Sequence, residues 1–172
     1  TKSSTAVIDV DITRGNLDPL PIAVSPFHLE SGEMEIKDGE FVIENIGEEI
    51  AKVIEVNFRR SGLFNPLKKD SFVQKPDIAH AKPRFEDWRL IKAQALVTGK
   101  LLVKNEKLKV EFRLWDLTAA KEMTAVAFTT TPSNWRRVAH IISDKIYQRL
   151  TGEEGYFDTR IIYVSESGPK SQ

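Results

Sequence analysis

At 172 residues the chain is long enough for one domain with a substantial core, and 41% apolar with 29% charged residues is typical of globular proteins. The sequence has no cysteine, which excludes disulfides, thiolate metal sites and cysteine nucleophiles, and no apolar stretch is long enough to span a membrane as a helix. No signal peptide opens the chain, so we expect an exported protein to be represented in its mature form.

Basic and acidic residues balance at 25 each, but they are unevenly distributed. Residues 1–50 carry 3 basic and 11 acidic residues, whereas residues 51–113 carry 15 and 7. The middle third could therefore present a basic face to an acidic partner. Because its basic residues are dispersed, we favour the alternative, in which the oppositely charged segments fold against each other.

The N-terminal segment predicts an arm that leads into a buried strand. Residues 7–12 alternate apolar and acidic side chains, and residues 15–21 are rich in glycine, asparagine, aspartate and proline, which disfavour regular pairing. Residues 22–24 form a short apolar run, typical of a strand covered on both faces. Such an arm either binds a partner or docks as an edge strand on its own domain.

An acidic segment over residues 28–44 predicts a hairpin. Met34 and Ile36 alternate with polar residues before Asp38-Gly39, and Phe41 and Ile43 alternate after it. Asp-Gly between two alternating runs is typical of a tight turn between paired strands, so we expect an exposed turn here.

Residues 46–61 predict the first helix. Apolar residues recur along one face at helical spacing, and Asn45 with Glu48 forms a capping box at the start. Gly62 can adopt the left-handed conformation that ends a helix.

The middle of the chain predicts short elements followed by a meander. Residues 63–64 form a short strand before a turn at Asn65-Pro66, and residues 68–83 form a polar connection. A short helix with Phe85, Trp88, Leu90 and Ile91 as apolar contributors comes next. Three meandering strands are then expected over residues 94–104, 107–116 and about 122–130.

The last helix has the most sustained apolar stripe. Ser133 is its expected cap and Gly152 its end, and the stripe consists of Trp135, Val138, Ala139, Ile142, Ile146 and Leu150. A final strand is expected over residues 159–164. The predicted fold class is therefore α/β (α+β), a mixed β-sheet with two main helices and one short helix packed on it.

The sequence contains no recognisable pattern of catalytic or metal-binding residues. His28, His80 and His140 lie apart, at a predicted loop start, in a loop and beside the apolar stripe of the last helix, so no metal-ligand pair is formed. Gly99-Lys100 lacks the remainder of a phosphate-binding loop, and no serine lies in a nucleophile elbow. We therefore expect no catalytic residue, no metal site, no cofactor and no enzymatic activity.

Several segments resemble the TolB family, the periplasmic component of the Tol–Pal envelope system of Gram-negative bacteria. They are residues 12–27 (ITRGNLDPLPIAVSPF), 59–67 (RRSGLFNPL) and 150–164 (LTGEEGYFDTRIIYV), with the last helix between the second and third. The resemblance runs in order over roughly residues 7–166, and residues 28–44 exceed the family pattern as an insertion. The family carries a β-propeller after its N-terminal domain, and since no internal repeat is found, the chain is similar to that N-terminal domain alone.

This resemblance implies a non-catalytic periplasmic adaptor. In the family the N-terminal arm binds TolA, an inner-membrane, energy-transducing partner, and the propeller binds the lipoprotein Pal. It further implies a flexible arm over residues 1–17, a single α/β domain over residues 18–166, and a polar tail over residues 167–172 leading to a missing propeller, so Pal binding is expected to be absent or weak. The residues expected to bind TolA are Val7, Ile8, Asp9, Val10, Asp11, Ile12, Thr13, Arg14, Gly15, Asn16 and Leu17.

An alternative function is a nucleic-acid or nucleotide-binding module that uses the basic middle third. In that hypothesis Phe64, Phe72, Phe85 and Trp88 provide a stacking platform. The same aromatic residues occupy predicted core positions, which favours the adaptor, and nucleic acid is not an expected partner.

Overall fold

The computed structural model describes residues 8–10, 18–31 and 45–159 of the chain. The hairpin predicted around Asp38-Gly39 lies outside these residues, as does the final strand predicted over residues 159–164, apart from Thr159.

Within the described residues, one mixed sheet of six strands carries four α-helices. The strands are β1 (Leu20–Val24), β2 (His28–Ser31), β3 (Phe64–Pro66), β4 (Ala95–Lys104), β5 (Lys107–Asp116) and β6 (Lys121–Thr130). The helices are α1 (Ile46–Ser61), α2 (Pro76–Ala81), α3 (Phe85–Leu90) and α4 (Trp135–Thr151). The predicted fold class is confirmed, with one short helix more than expected.

The sheet order is β3-β1-β4-β5-β6, and β2 also pairs with β4. Strands β1 and β2 run parallel to β4, whereas β5 and β6 follow it as an antiparallel meander, as the alternation of apolar residues predicts. Among the described strands, β6 pairs with β5 alone and therefore lies at one end of the sheet.

Two apolar clusters cover opposite faces of the sheet. The larger cluster lies beneath α1 and α4 and includes Ile54, Phe58, Phe112 and Ile142, all fully buried. The smaller one lies beneath α2 and α3 and is built around Trp88 and Trp115. This smaller cluster covers only one end of its face, so the other end of that face is not covered by a described helix.

Helix α1 begins and ends where its sequence pattern predicts, but the capping box is not formed. Asn45 precedes the helix with φ −103° and its side chain makes no capping hydrogen bond. Gly62 ends the helix with φ 73°, in the left-handed conformation that a glycine adopts without steric cost.

Four local predictions are wrong. Asn65-Pro66 belongs to β3, where proline is tolerated because β3 is an edge strand. The polar connection contains α2, with Pro76 at its first position, where no N–H is needed. Leu90 is 81% exposed because it lies two residues after the buried Trp88 and points to the opposite side of α3. Ser133 lies within the 3₁₀ turn Pro132–Asn134, so α4 begins after Asn134.

Candidate functional site

The described part of the predicted arm, residues 8–10, lies against its own domain. The backbone N–H of Ile8 donates a hydrogen bond of 3.1 Å to Oδ2 of Asp116, and the N–H of Val10 donates one of 2.7 Å to the carbonyl oxygen of Leu150. These two bonds attach the arm to the end of β5 and to the last turn of α4. The other residues predicted to bind a partner, Val7 and residues 11–17, lie outside the described residues.

Side chains in this segment alternate as the sequence pattern predicts. Ile8 and Val10 are partly buried and pack against the main core, whereas Asp9 between them is exposed. The apolar side chains that would face a partner strand therefore face the domain in this state.

Asp116 holds both the arm and the turn that follows β5. Its side chain is fully buried, and its Oδ1 accepts hydrogen bonds from the N–H groups of Thr118 (2.9 Å) and Ala119 (2.8 Å). This arrangement leaves Oδ2 for Ile8. The aspartate turn has a sequence signal, an aspartate at the end of an alternating strand. Sequence reasoning nevertheless missed the contact with the arm, because Ile8 is 108 positions away.

Leu150 contributes a carbonyl group that α4 cannot satisfy internally. The last four carbonyl groups of a helix lack an intrahelical partner, and they form the negative end of the helix dipole. Val10 supplies the missing donor. Residues 8–10 thereby complete the end of the helix and are not themselves part of a strand.

The basic middle third is paired in part with the acidic N-terminal third. Lys69 lies 2.7 Å from Glu48, and Lys100 lies 3.4 Å from Glu30. The hydrogen bond and the charge of Lys69 hold the pKa of Glu48 below its ordinary value. These contacts favour the interpretation in which the oppositely charged segments fold together.

The aromatic residues of the nucleic-acid alternative are packed inside the protein. Phe64 and Trp88 are buried, Phe72 packs edge-on against Trp88 at 5.0 Å, and Phe85 packs against Trp115 at 6.0 Å. Phe64 and Trp88 are therefore core residues, and the partly buried Phe72 and Phe85 pack against the smaller core, so the four do not form a surface for stacked bases.

His80 lies in α2, whereas a loop was predicted, and it is buried. Its Nδ1 lies 3.2 Å from Oγ1 of Thr98, which also accepts a bond of 2.9 Å from the indole of Trp115. Its Nε2 lies 3.3 Å from Glu111. Burial, together with the charge of Arg113, lowers the pKa of His80, so the neutral ring is favoured. It lines an open pocket of about 460 Å³ beside β2 and β4.

His140 connects the two large helices and is half-buried, in agreement with its predicted place on the last helix beside the apolar stripe. Nδ2 of Asn57 on α1 lies 2.9 Å from Nδ1 of His140 and 3.0 Å from Oγ of Ser143, both on α4. Because the amide nitrogen is a donor, Nδ1 of the neutral histidine accepts the bond. The arrangement is a structural link between helices.

Among residues 8–10, 18–31 and 45–159, no group of three or more histidine, cysteine, aspartate or glutamate side chains could hold a metal ion. No helix in this part of the chain is both long enough and apolar enough to cross a membrane.

Comparison with known proteins yields consistent matches. The family model described as the TolB amino-terminal domain matches residues 8–123. The Tol-Pal system protein TolB of Pelagibacter ubique (strain HTCC1062) is 65% identical over 167 residues, which make up 97% of this chain and 37% of that protein. The chain therefore spans little more than a third of this relative.

A solved structure shares the fold. The crystal structure of TolB from Acinetobacter baumannii matches with a TM-score of 0.64 and 23% sequence identity. The match covers 82% of this chain and 30% of that chain.

Proposed function

The chain belongs to the TolB family, in which it corresponds to the amino-terminal domain, and we propose that it is a non-catalytic, periplasmic adaptor domain of a Tol–Pal cell-envelope complex whose N-terminal arm, residues 7–17, binds TolA. Family membership supports the periplasmic location and the adaptor role. Pal binding, which the resemblance assigns to the propeller, is not part of this proposal.

The observation that carries the proposal is the way in which residues 8–10 are attached. Two backbone hydrogen bonds and two partly buried side chains hold them. Ordering each residue of a flexible segment costs about 1–2 kcal/mol, while each net hydrogen bond contributes about 1 kcal/mol. For residues 8–10 these opposing contributions are similar in size, so a partner can compete for this segment.

Released, the arm has the chemistry of a strand that adds to an exposed sheet edge. Its backbone would supply hydrogen bonds, and the apolar side chains of Val7, Ile8, Val10 and Ile12, alternating with Asp9 and Asp11, would supply selectivity. Because the same N–H groups of Ile8 and Val10 are occupied in the docked state, docking lowers the apparent affinity in proportion to the released fraction.

An NMR titration tests the proposal directly. The ¹⁵N-labelled 172-residue chain is mixed with the soluble C-terminal domain of TolA, and amide shifts are followed residue by residue. We expect shifts over residues 7–17, accompanied by smaller shifts at Leu117, Thr118 and Ala119 as Asp116 loses its contact with Ile8. Shifts confined to another surface, or no shifts at concentrations of about 1 mM, would overturn the assignment of the arm.

A further inference from the structure

The outer edge of β6 is open among the described residues. Strand β6 is ten residues long and pairs with β5 from Leu108↔Thr130 to Asp116↔Lys121, and none of residues 8–10, 18–31 and 45–159 forms a strand on its other side. Such an edge presents a row of backbone N–H and C=O groups to solvent.

The edge also lacks the features by which proteins usually prevent strand addition. Lys121 and Glu122 are charged, but the eight residues after them contain neither charge nor proline. One register shift occurs near Met123, at the charged end, and the remaining pairing with β5 is regular. A long, regular, uncharged edge is expected to accept another strand.

One face of β6 leaves room for long charged side chains from β5. Ala125, Ala127 and Thr129 are small and exposed, and their cross-strand neighbours on β5 are Arg113, Glu111 and Lys109. A strand added beyond β6 would lie about 10 Å from β5. The side chain of Lys109 is long enough to extend over the small residues of β6 towards such a strand. Arg113 is instead held by the carbonyl oxygen of His80 (3.0 Å) and by the carboxylates of Glu111 and Glu122.

This face is basic near the hairpin that joins β4 and β5. Lys104 lies directly opposite Lys107, an unfavourable arrangement of like charges, and Lys109 is two residues further along the same face. Lys109 is exposed and forms no ion pair with any residue that the structure describes. Acidic side chains on a neighbouring strand would relieve this repulsion.

The opposite face of β6 is apolar. Val126 and Phe128 are partly buried and pack against the main core, and Phe128 stacks on Phe112 with ring centroids 6.3 Å apart. Apolar side chains on an added strand would pack against Val126 and Phe128 and would remove the exposed part of these two side chains from water.

We propose that the outer edge of β6 is a docking site for a partner strand that alternates apolar and acidic side chains, with the acidic residues on the face of Lys109. The chemistry on both faces defines this pattern, and the absence of an exposed aromatic residue along β6 disfavours nucleic acid. The described residues of the arm, 8–10, form no strand with β6, and the test below does not use TolA, so the site does not depend on the proposed function.

The probe is a ten-residue peptide that alternates valine and glutamate and has blocked ends. It is titrated into the ¹⁵N-labelled 172-residue chain. We expect amide shifts and slowed hydrogen exchange along residues 123–130. Lys109→Glu should weaken binding at least about threefold, as expected for a cross-strand charge pair. Lys145→Glu makes the same change at an exposed position of α4 and should leave binding unchanged.

Two matched peptides separate strand addition from simple charge attraction. A version with alternate amides N-methylated on the pairing edge should not bind, and a valine–lysine version should bind more weakly. Equal binding of either, or shifts that leave β6 unaffected, would overturn the proposal. Protection of β6 in the peptide-free chain together with dimerisation in sedimentation would also overturn it, because the edge would then be occupied by a second copy.

Discussion

The buried carboxylate of Asp116 accepts a hydrogen bond of 3.1 Å from the backbone N–H of Ile8 across 108 positions of sequence. The same carboxylate holds the turn between β5 and β6 through Thr118 and Ala119. One side chain therefore ties the segment proposed to bind TolA to a turn of the folded domain.

Asp116→Asn is expected to release the arm while preserving the turn. The asparagine oxygen can still accept from Thr118 and Ala119, but its NH₂ group would face the N–H of Ile8, donor against donor. Because docking of the arm is itself nearly balanced, we expect a loss of about 1 kcal/mol or less in the free energy of unfolding, measured with urea, together with faster amide exchange at Ile8.

The control for this variant is Asp70→Asn, since Asp70 is exposed in the 3₁₀ turn Lys69–Ser71. It should change stability by less than about 0.5 kcal/mol. Unchanged exchange at Ile8 in Asp116→Asn would mean that the carboxylate does not hold the arm.

Gln74→Leu should destabilise the smaller core. The side-chain oxygen of Gln74 accepts bonds from the indole of Trp88 (2.9 Å) and from the N–H of Arg84 (3.0 Å), and its NH₂ donates to the carbonyl of Lys82 (3.1 Å). Leucine would leave these buried groups without partners, at a cost of about 3 kcal/mol. Urea unfolding followed by tryptophan fluorescence measures the loss of stability. The control, Gln148→Leu at an exposed position of α4, should change stability very little.

Stability should fall as pH falls from about 7.5 to 5.5. Burial lowers the pKa values of both His80 and His140 below the ordinary 6.5. The positive charge of Arg113 lowers the pKa of His80 further, and that of Arg136 does the same for His140. The unfolded chain then binds protons at a higher pH than the folded one. Folding stability is consequently full above the unfolded pKa and is lost as pH falls from there through the folded pKa.

His140→Gln tests one part of this dependence. Glutamine retains an acceptor for Asn57 but cannot titrate. The urea midpoint should therefore depend less on pH between 7.5 and 5.5 in this variant than in the unaltered chain. An identical slope in both proteins would exclude His140 as a contributor.

Gly47→Ala should destabilise the protein, although alanine favours helices. Gly47 lies in the first turn of α1, and a Cβ there would overlap the carbonyl oxygen of Phe27. The two backbones are held together because the N–H of Phe27 donates a hydrogen bond of 3.1 Å to the carbonyl oxygen of Gly47. Helix propensity alone would raise stability by about 1 kcal/mol, whereas the backbone overlap should lower it by about 1–3 kcal/mol. Thermal unfolding gives the sign, and a higher Tm would contradict the contact.

Elements with strong local periodicity were predictable from the sequence. The meander β4–β6 and the limits of α1 follow from alternation, helical spacing and Gly62. The assignment of Asn65-Pro66 to β3 was not predictable, because proline is compatible with a strand only when that strand lies at an edge, and sheet order is a tertiary property.

The sequence predicted the arm but not the residues of the domain that hold it. The alternation of residues 7–12 identified the arm, and its buried and exposed positions at residues 8–10 match that alternation. Its attachment points, Asp116 and Leu150, have no local signal that relates them to Ile8 and Val10. Such contacts depend on how β5 and α4 end in space.

Binding of TolA by the arm can be measured by calorimetric titration with the soluble C-terminal domain of TolA, using the unaltered chain, Asp116→Asn and a chain beginning at Asp18. We expect Asp116→Asn to bind more tightly than the unaltered chain, since more of the arm is released. The shortened chain should not bind, with circular dichroism confirming that it is folded. Undiminished TolA binding by a folded chain without residues 1–17 would show that the arm is not the binding site.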